Sequence, residues 1–210
     1  MTTRTIAVVS AGLGVPSSTR LLADRLAESA GTRLRGEGIE VVLKHVELRD
    51  IARDVTVSLL TGFPSPDLRA AVETVTGADG IIAVTPVFNG SYSGLFKSFV
   101  DVIEPGAIDG VPVLVAATGG SERHSLVLDH ALRPLFSYLH AVVVPTGVFA
   151  ASADWGAGAE GGRALESRVE RAAGELADLV SRSPRAAAAD PLALGGADFA
   201  ALLGGGGAGR

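Results

Sequence analysis

Short, wholly apolar runs alternate along this chain with stretches whose apolar residues recur every three or four positions. The first run lies at 6–9 and reads as a buried strand. From about 17 to 34, Leu22, Leu26, Ala30 and Leu34 return at four-residue spacing and leave Arg20, Asp24 and Arg33 for water, which predicts a helix closed by Gly36 and Gly38. Ile39, Val41 and Leu43 fall at every second position and predict a second strand; the runs at 81–84, 111–117 and 141–144 predict a third, fourth and fifth. Pro112 falls at the entrance of the fourth, where a missing N–H is least harmful. Helical patterns recur at 66–77, 93–104, 125–139 and 160–182, and Pro134 should kink or split the one at 125–139.

Strand and helix in this alternation predict right-handed β-α-β units, and hence an α/β protein with a parallel sheet and helices on both faces. Continuous apolar strands fit burial from both sides. One domain over 1–183 is expected. From 184 to 210 the chain turns to Ala, Pro and Gly, too poor in large apolar residues to pack by itself, so a flexible C-terminal tail is expected. Within that tail the segment 199–203 is apolar enough to dock on a neighbouring subunit.

The 210 residues are 47% hydrophobic and 20% charged, as in globular proteins. A formal net charge of -5 argues against nucleic acid or an anionic membrane as partner, so an anionic ligand must be held by local groups. The chain has no cysteine, which excludes disulfides, thiolate catalysis and cysteine-ligated metals within it. No apolar stretch reaches the about 20 residues of a membrane helix. The run at 6–9 is too short for the core of a secretory leader, and a cytoplasmic location is the expectation. Asn89, Gly90 and Ser91 form a glycosylation sequon that has no meaning there.

Three loops follow strand C-termini, where open α/β sheets bind ligands. The first carries hydroxyls at Ser10, Ser17, Ser18 and Thr19, next to the free N–H groups of a helix start and the cation of Arg20: a set suited to a phosphate monoester. The alternative is a plain helix cap. A dinucleotide fingerprint is disfavoured, since Gly12 and Gly14 lack a third glycine where Ser17 stands and no clear acidic residue closes the second strand. The second loop, Pro86, Val87, Phe88, Asn89, Gly90, Ser91 and Tyr92, offers backbone N–H groups, hydroxyls and rings to a flat polar ligand, or is a turn with locally packed aromatics. In the third, Thr118, Gly119, Gly120 and Ser121 let the backbone approach a ligand edge, or make an ordinary turn. His124 has no neighbouring partner that would give it a proton-transfer role, and His45, His130 and His140 lack metal-ligand spacing. Trp155 either closes over a site or caps the core.

The sequence of these loops, with the segment 85–101 and Ala117 to Ser121, resembles the NAD(P)H-dependent FMN reductases over about residues 1–180. More narrowly, the segments 117–126 and 132–141 look like the actinobacterial branch whose members partner luciferase-like monooxygenases. The resemblance implies a flavodoxin-like three-layer sandwich with a five-stranded parallel sheet in the order 2-1-3-4-5. It implies that Ser10, Ser17, Ser18, Thr19 and Arg20 hold the phosphate of FMN, that residues 86–92 line the isoalloxazine, and that Thr118 to Ser121 meet its pyrimidine end. One departure is that positions 13–16 carry no basic residue before the serine pair, which implies a weaker hold on a flavin that leaves. The implied activity is hydride transfer from NADPH or NADH to FMN, with no catalytic side chain and no metal, in a homodimer or homotetramer that supplies a separate flavin-dependent monooxygenase. A reductase of quinones, azo dyes or chromate, and a non-enzymatic flavodoxin-like electron carrier, are the alternatives. Arg49, Arg53 and Arg123 are candidates for a contact to the 2′-phosphate of NADPH.

Overall fold

The computed structural model describes residues 2–155 and 159–182. In chain order the elements are β1 (Thr3–Ser10), α1 (Ser18–Gly36), β2 (Glu40–Glu47), α2 (Ala52–Thr61), α3 (Pro66–Thr76), β3 (Gly80–Phe88), β4 (Ser91–Tyr92), α4 (Gly94–Val100), β5 (Pro112–Gly119), α5 (Arg133–Tyr138), β6 (Val142–Val143), β7 (Val148–Ala151) and α6 (Ala159–Arg182). The main sheet is parallel in the order β2-β1-β3-β5-β6, and β7 also runs parallel to β5. The expected α/β sandwich and its strand order are thus present.

Side chains alternate across the sheet and feed two cores. Ile6, Val8, Ile82, Val84, Leu114 and Ala116 meet Leu22 and Leu26 of α1 and Leu176 and Val180 of α6. On the other side Ala7, Val9, Ile81, Ala83, Val113 and Val115 meet Val55, Leu68, Phe96, Phe99 and Phe136, from α2 to α5. Leu22, Leu26, Ile82 and Leu114 have no exposed surface, and truncating any of them to alanine should cost about 2–5 kcal/mol. β2 is an edge strand, which explains why burial alternates along its first half where β1, β3 and β5 are buried in continuous runs.

The fifth strand differs from its expectation in a way that builds the site. β6 pairs with Pro112 and Val113 only, and after a break at 144–147 β7 takes over beside Ala116–Gly119. Pro145 has no N–H for a ladder. The groups freed at the break are satisfied elsewhere: Arg133 donates to the carbonyl of Val144 (2.7 Å) and to that of Pro145, while Thr146 donates its N–H and its hydroxyl to Glu175, each at 2.7 Å. The jog carries the chain up to the C-terminal rim of β5.

Three further differences are local. α2 is not announced by the apolar pattern, because Val55, Thr56 and Val57 are β-branched and read ambiguously. The 93–104 pattern yields a helix of seven residues ending at Val100. The 125–139 pattern is split, as Pro134 demands: a π-helical turn at Leu128–Leu132 precedes α5, with the proline in the first turn of α5. Among the described residues no helix is long and apolar enough to cross a membrane. The expected tail at 184–210 lies outside the described residues.

Candidate functional site

A cavity of about 420 Å³ opens at the C-terminal ends of β1, β3, β5 and β7. From the first loop it is lined by Leu13, Gly14, Pro16, Ser17, Ser18 and Thr19, and from the second by Pro86, Val87 and Phe88. Thr118, Gly119 and Gly120 line it from the third loop, and Ser152 and Trp155 from the turn after β7. Among the described lining residues none is ionisable.

The first loop is folded tightly over the start of α1. Ser17 is the N-cap, its Oγ accepting from the N–H of Arg20 at 3.2 Å, which satisfies one of the orphan donors that a helix start presents. Gly12 is required here: a Cβ would stand 2.0 Å from Ser17 Oγ. Thr19 and Thr118 share a buried 2.8 Å hydrogen bond that ties this loop to β5. Ser10, 1% exposed at the end of β1, has an Oγ with no hydrogen-bond partner among the described residues. A buried orphan hydroxyl beside a helix N-terminus fits a ligand oxygen.

Arg20 is placed differently from the serines. Its guanidinium donates to Asp24 (2.7 Å) and to Glu47 (2.9 Å). Burial lowers its pKa, but the hydrogen bonds and charges of Asp24 and Glu47 outweigh this, and the net shift is upward. Glu47 ends β2, so an acidic residue does close the second strand, contrary to the sequence-based expectation, and it is committed to Arg20. Of the three arginines considered for a 2′-phosphate, Arg49 touches the first loop, donating to the carbonyl of Gly14 at 3.2 Å; Arg53 and Arg123 are exposed.

The second loop is a two-residue hairpin. Asn89 (φ 49°) and Gly90 (φ 84°) both take positive φ between the paired residues Phe88 and Ser91, the conformation that an Asn-Gly turn favours. Thr85 Oγ1 accepts from the N–H of Ser93 at 3.0 Å and fixes the base of the hairpin. Phe88 is 46% exposed at the cavity, whereas Tyr92 turns to Phe96, with ring centroids 6.0 Å apart. In the third loop Gly119 lies against Phe149, whose Cζ would be 2.9 Å from an added Cβ, while Gly120 faces open space. Ser121 spends its Oγ on the N–H of Arg123 (3.3 Å).

The structure therefore brings Ser17, Ser18, Thr19, Pro86, Val87, Phe88, Thr118, Gly119 and Gly120 onto one cavity, whereas Ser10 is buried at the end of β1 and is not among its lining residues. Arg20, Asn89, Gly90, Ser91, Tyr92 and Ser121 stand outside its lining. Ser152 was missed by the sequence reading, and of the two alternatives offered for Trp155 the structure places it in the lining of the site. The signal for Ser152 was the apolar run at 148–151 that it follows at once, but it was hidden behind the run at 141–144. A larger, open groove of about 880 Å³ lies between α1 and α6, bordered by charges of both signs. Among the described residues no group of His, Asp or Glu could hold a metal.

A flat heterocycle bearing one phosphate fits the chemistry of this lining: serine and threonine hydroxyls at a helix start, and glycine backbone with an exposed ring. The family model described as NADPH-dependent FMN reductase matches residues 4–156. The chain is 37% identical to "FMN reductase (NADPH)" of Pseudomonas aeruginosa over 83% of this chain and 91% of that one. It is 39% identical to "NADH-dependent FMN reductase SfnF" of Pseudomonas fluorescens over 83% of this chain and 90% of that one. The crystal structure of an oxidoreductase from Corynebacterium diphtheriae superposes with a TM-score of 0.83 at 45% identity, covering 87% of this chain and 100% of that one. Cavity, strand order and relatives agree, and the chain belongs to the NADPH-dependent FMN reductase family, as an enzyme of flavodoxin-like fold that works with FMN and NAD(P)H.

Proposed function

We propose that the protein reduces FMN in the rim cavity at the expense of NADPH or NADH and releases the reduced flavin to a separate flavin-dependent monooxygenase, in the manner of the actinobacterial branch that its sequence resembles. The observation that carries this reading is a cavity lined by serine and threonine hydroxyls at a helix start, with no ionisable lining residue among those described. When bound, FMN supplies the site that accepts hydride from nicotinamide, so the protein needs to bind and orient rather than to donate a proton.

In this reading Ser10, Ser17, Ser18 and Thr19, with the N–H groups of the α1 start, hold the phosphate. Arg20, whose guanidinium is turned to Asp24 and Glu47, contributes as a nearby cation rather than as a direct ligand. Residues 86–92 flank the ring system, Phe88 giving the contact face and the Asn89-Gly90 turn its support. Thr118, Gly119, Gly120 and Ser121 bound the pyrimidine end. The absence of a direct cation in the lining suits a flavin that departs after reduction. Exposed Leu126 (61%), five residues after the third loop, favours a homodimer or homotetramer, and a cytoplasmic setting is consistent with this chemistry.

The test is to mix purified protein with NADPH or NADH and follow nicotinamide absorbance with and without added FMN. Oxidation that requires added FMN supports the proposal. Oxidation that requires a quinone, azo dye or chromate instead replaces it with the acceptor-reductase reading, and no oxidation leaves an electron carrier. Addition of a flavin-dependent monooxygenase that then turns over on the released flavin tests the second half.

A further inference from the structure

We infer that Trp155 determines flavin size: it is the partition that ends the cavity beyond one phosphate, so that flavin mononucleotide is accepted and a flavin dinucleotide is not. Trp155 lines the cavity together with Ser17 and Ser18, and its contact with Arg25 sets the indole against α1, the helix that Ser17 caps. Its ring also carries the guanidinium of Arg25, whose Cζ lies 5.0 Å from the ring centroid. Arg25 in turn borders the open groove between α1 and α6. One residue pair thus separates the two spaces.

The geometry of α1 explains how. Arg25 lies seven residues beyond Ser18, about 10 Å along the helix axis, and helical side chains lean back toward the N-terminus, so its guanidinium reaches toward the cavity and covers the indole. The indole is fixed from its other side through the backbone. Asp154, 9% exposed, accepts from the N–H of Ala151 and from Arg168 Nη2, each at 2.8 Å, which pins the turn after β7 to α6. An indole covered by Arg25, on a turn tied through Asp154, is a wall rather than a mobile cover. Beyond it the groove of about 880 Å³, with Arg25 and Arg33 on its border, has the room that an adenylate half would need.

This inference rests on the flavin reading of the cavity. The experiment measures equilibrium affinity of the full chain for FMN and for FAD, in wild type, Trp155→Ala and Trp155→Phe, with thermal melts of each apoprotein as a fold control. Trp155 is the single tryptophan of the chain, so its emission reports titration of wild type directly. Wild type should prefer FMN by about tenfold or more, Trp155→Ala should shrink that preference about fivefold or more, and Trp155→Phe should keep it within about twofold. Equal losses of both flavins in Trp155→Ala, or no preference in wild type, would overturn the partition while leaving the cavity as the flavin site. Failure of wild type to bind either flavin would overturn both readings. Should Trp155→Ala not fold, Arg25→Ala, an exposed position, is read in its place: a narrowed preference supports the partition, and an unchanged one overturns it.

Discussion

Gly12→Ala is the sharpest single perturbation of the first loop. The added Cβ would meet Ser17 Oγ at 2.0 Å, Ser17 Cβ at 3.1 Å and Thr19 Cβ at 3.2 Å. Rotation of the hydroxyl relieves the first contact but gives up the 3.2 Å N-cap bond to Arg20, worth about 1 kcal/mol. The other two contacts involve atoms fixed to the backbone, so the loop must shift by a few tenths of an ångström. A melting temperature lower by about 2–4 °C is expected for a chain of this size. If the shift also breaks one charge-assisted hydrogen bond to phosphate, at about 1.5–3 kcal/mol, FMN affinity falls roughly 10- to 100-fold. Calorimetry of the apoprotein and fluorescence titration with FMN measure the two effects separately. Gly120→Ala is the control for stability, because a Cβ there meets nothing within 4 Å on the same cavity. A Gly12→Ala protein that melts and binds like wild type would refute both the cap and the loop's part in the site.

Ser10→Ala should separate fold from function: it removes a buried hydroxyl that has no partner among the described residues, so the apoprotein should melt no lower than wild type, while FMN affinity drops about tenfold by titration. Asp154→Ala leaves the buried N–H of Ala151 and the Arg168 guanidinium unpaired, and denaturant unfolding should show a loss of about 2 kcal/mol. Gly174→Ala, within α6 where an added Cβ meets nothing within 4 Å, should raise stability by about 0.5–1 kcal/mol in the same assay. The hydrogen bond to Asp101 raises the pKa of Lys97 despite some desolvation, so their pairing persists through neutral pH and fades only as pH rises through that raised value. Because the lysine is 39% exposed, Lys97→Met should cost at most about 0.5 kcal/mol at neutral pH, with the difference from wild type shrinking in strongly alkaline melts.

The apolar runs of β1, β3 and β5 and the four-residue spacing of α1 were legible because burial imposes its period directly on the residues, and a strand covered on both faces has no other way to read. The same holds for the loops that follow them: serines before a helix, an Asn-Gly pair and a double glycine each have a local backbone meaning. α2 escaped because its β-branched residues carry no helical preference of their own and are helical only by packing Val55 against the core. The broken fifth strand escaped for a related reason. Val142–Val143 and Val148–Ala151 look like one strand and a remnant, and only the bonds that Arg133 donates to the intervening backbone and that Glu175 accepts from it make two partners for β5 possible.

The chain's sequence by itself determined the layer order, the rim loops and the chemistry they can offer, since these follow from local periodicity and turn residues. Tertiary structure alone decided which groups face the cavity. It turned Arg20 to Asp24 and Glu47, left Ser10 without a partner, aimed Tyr92 at Phe96, and set Trp155 between two spaces. The physical reason is that a side chain's partner is settled by competition among groups far apart in the chain, and no local pattern records who wins.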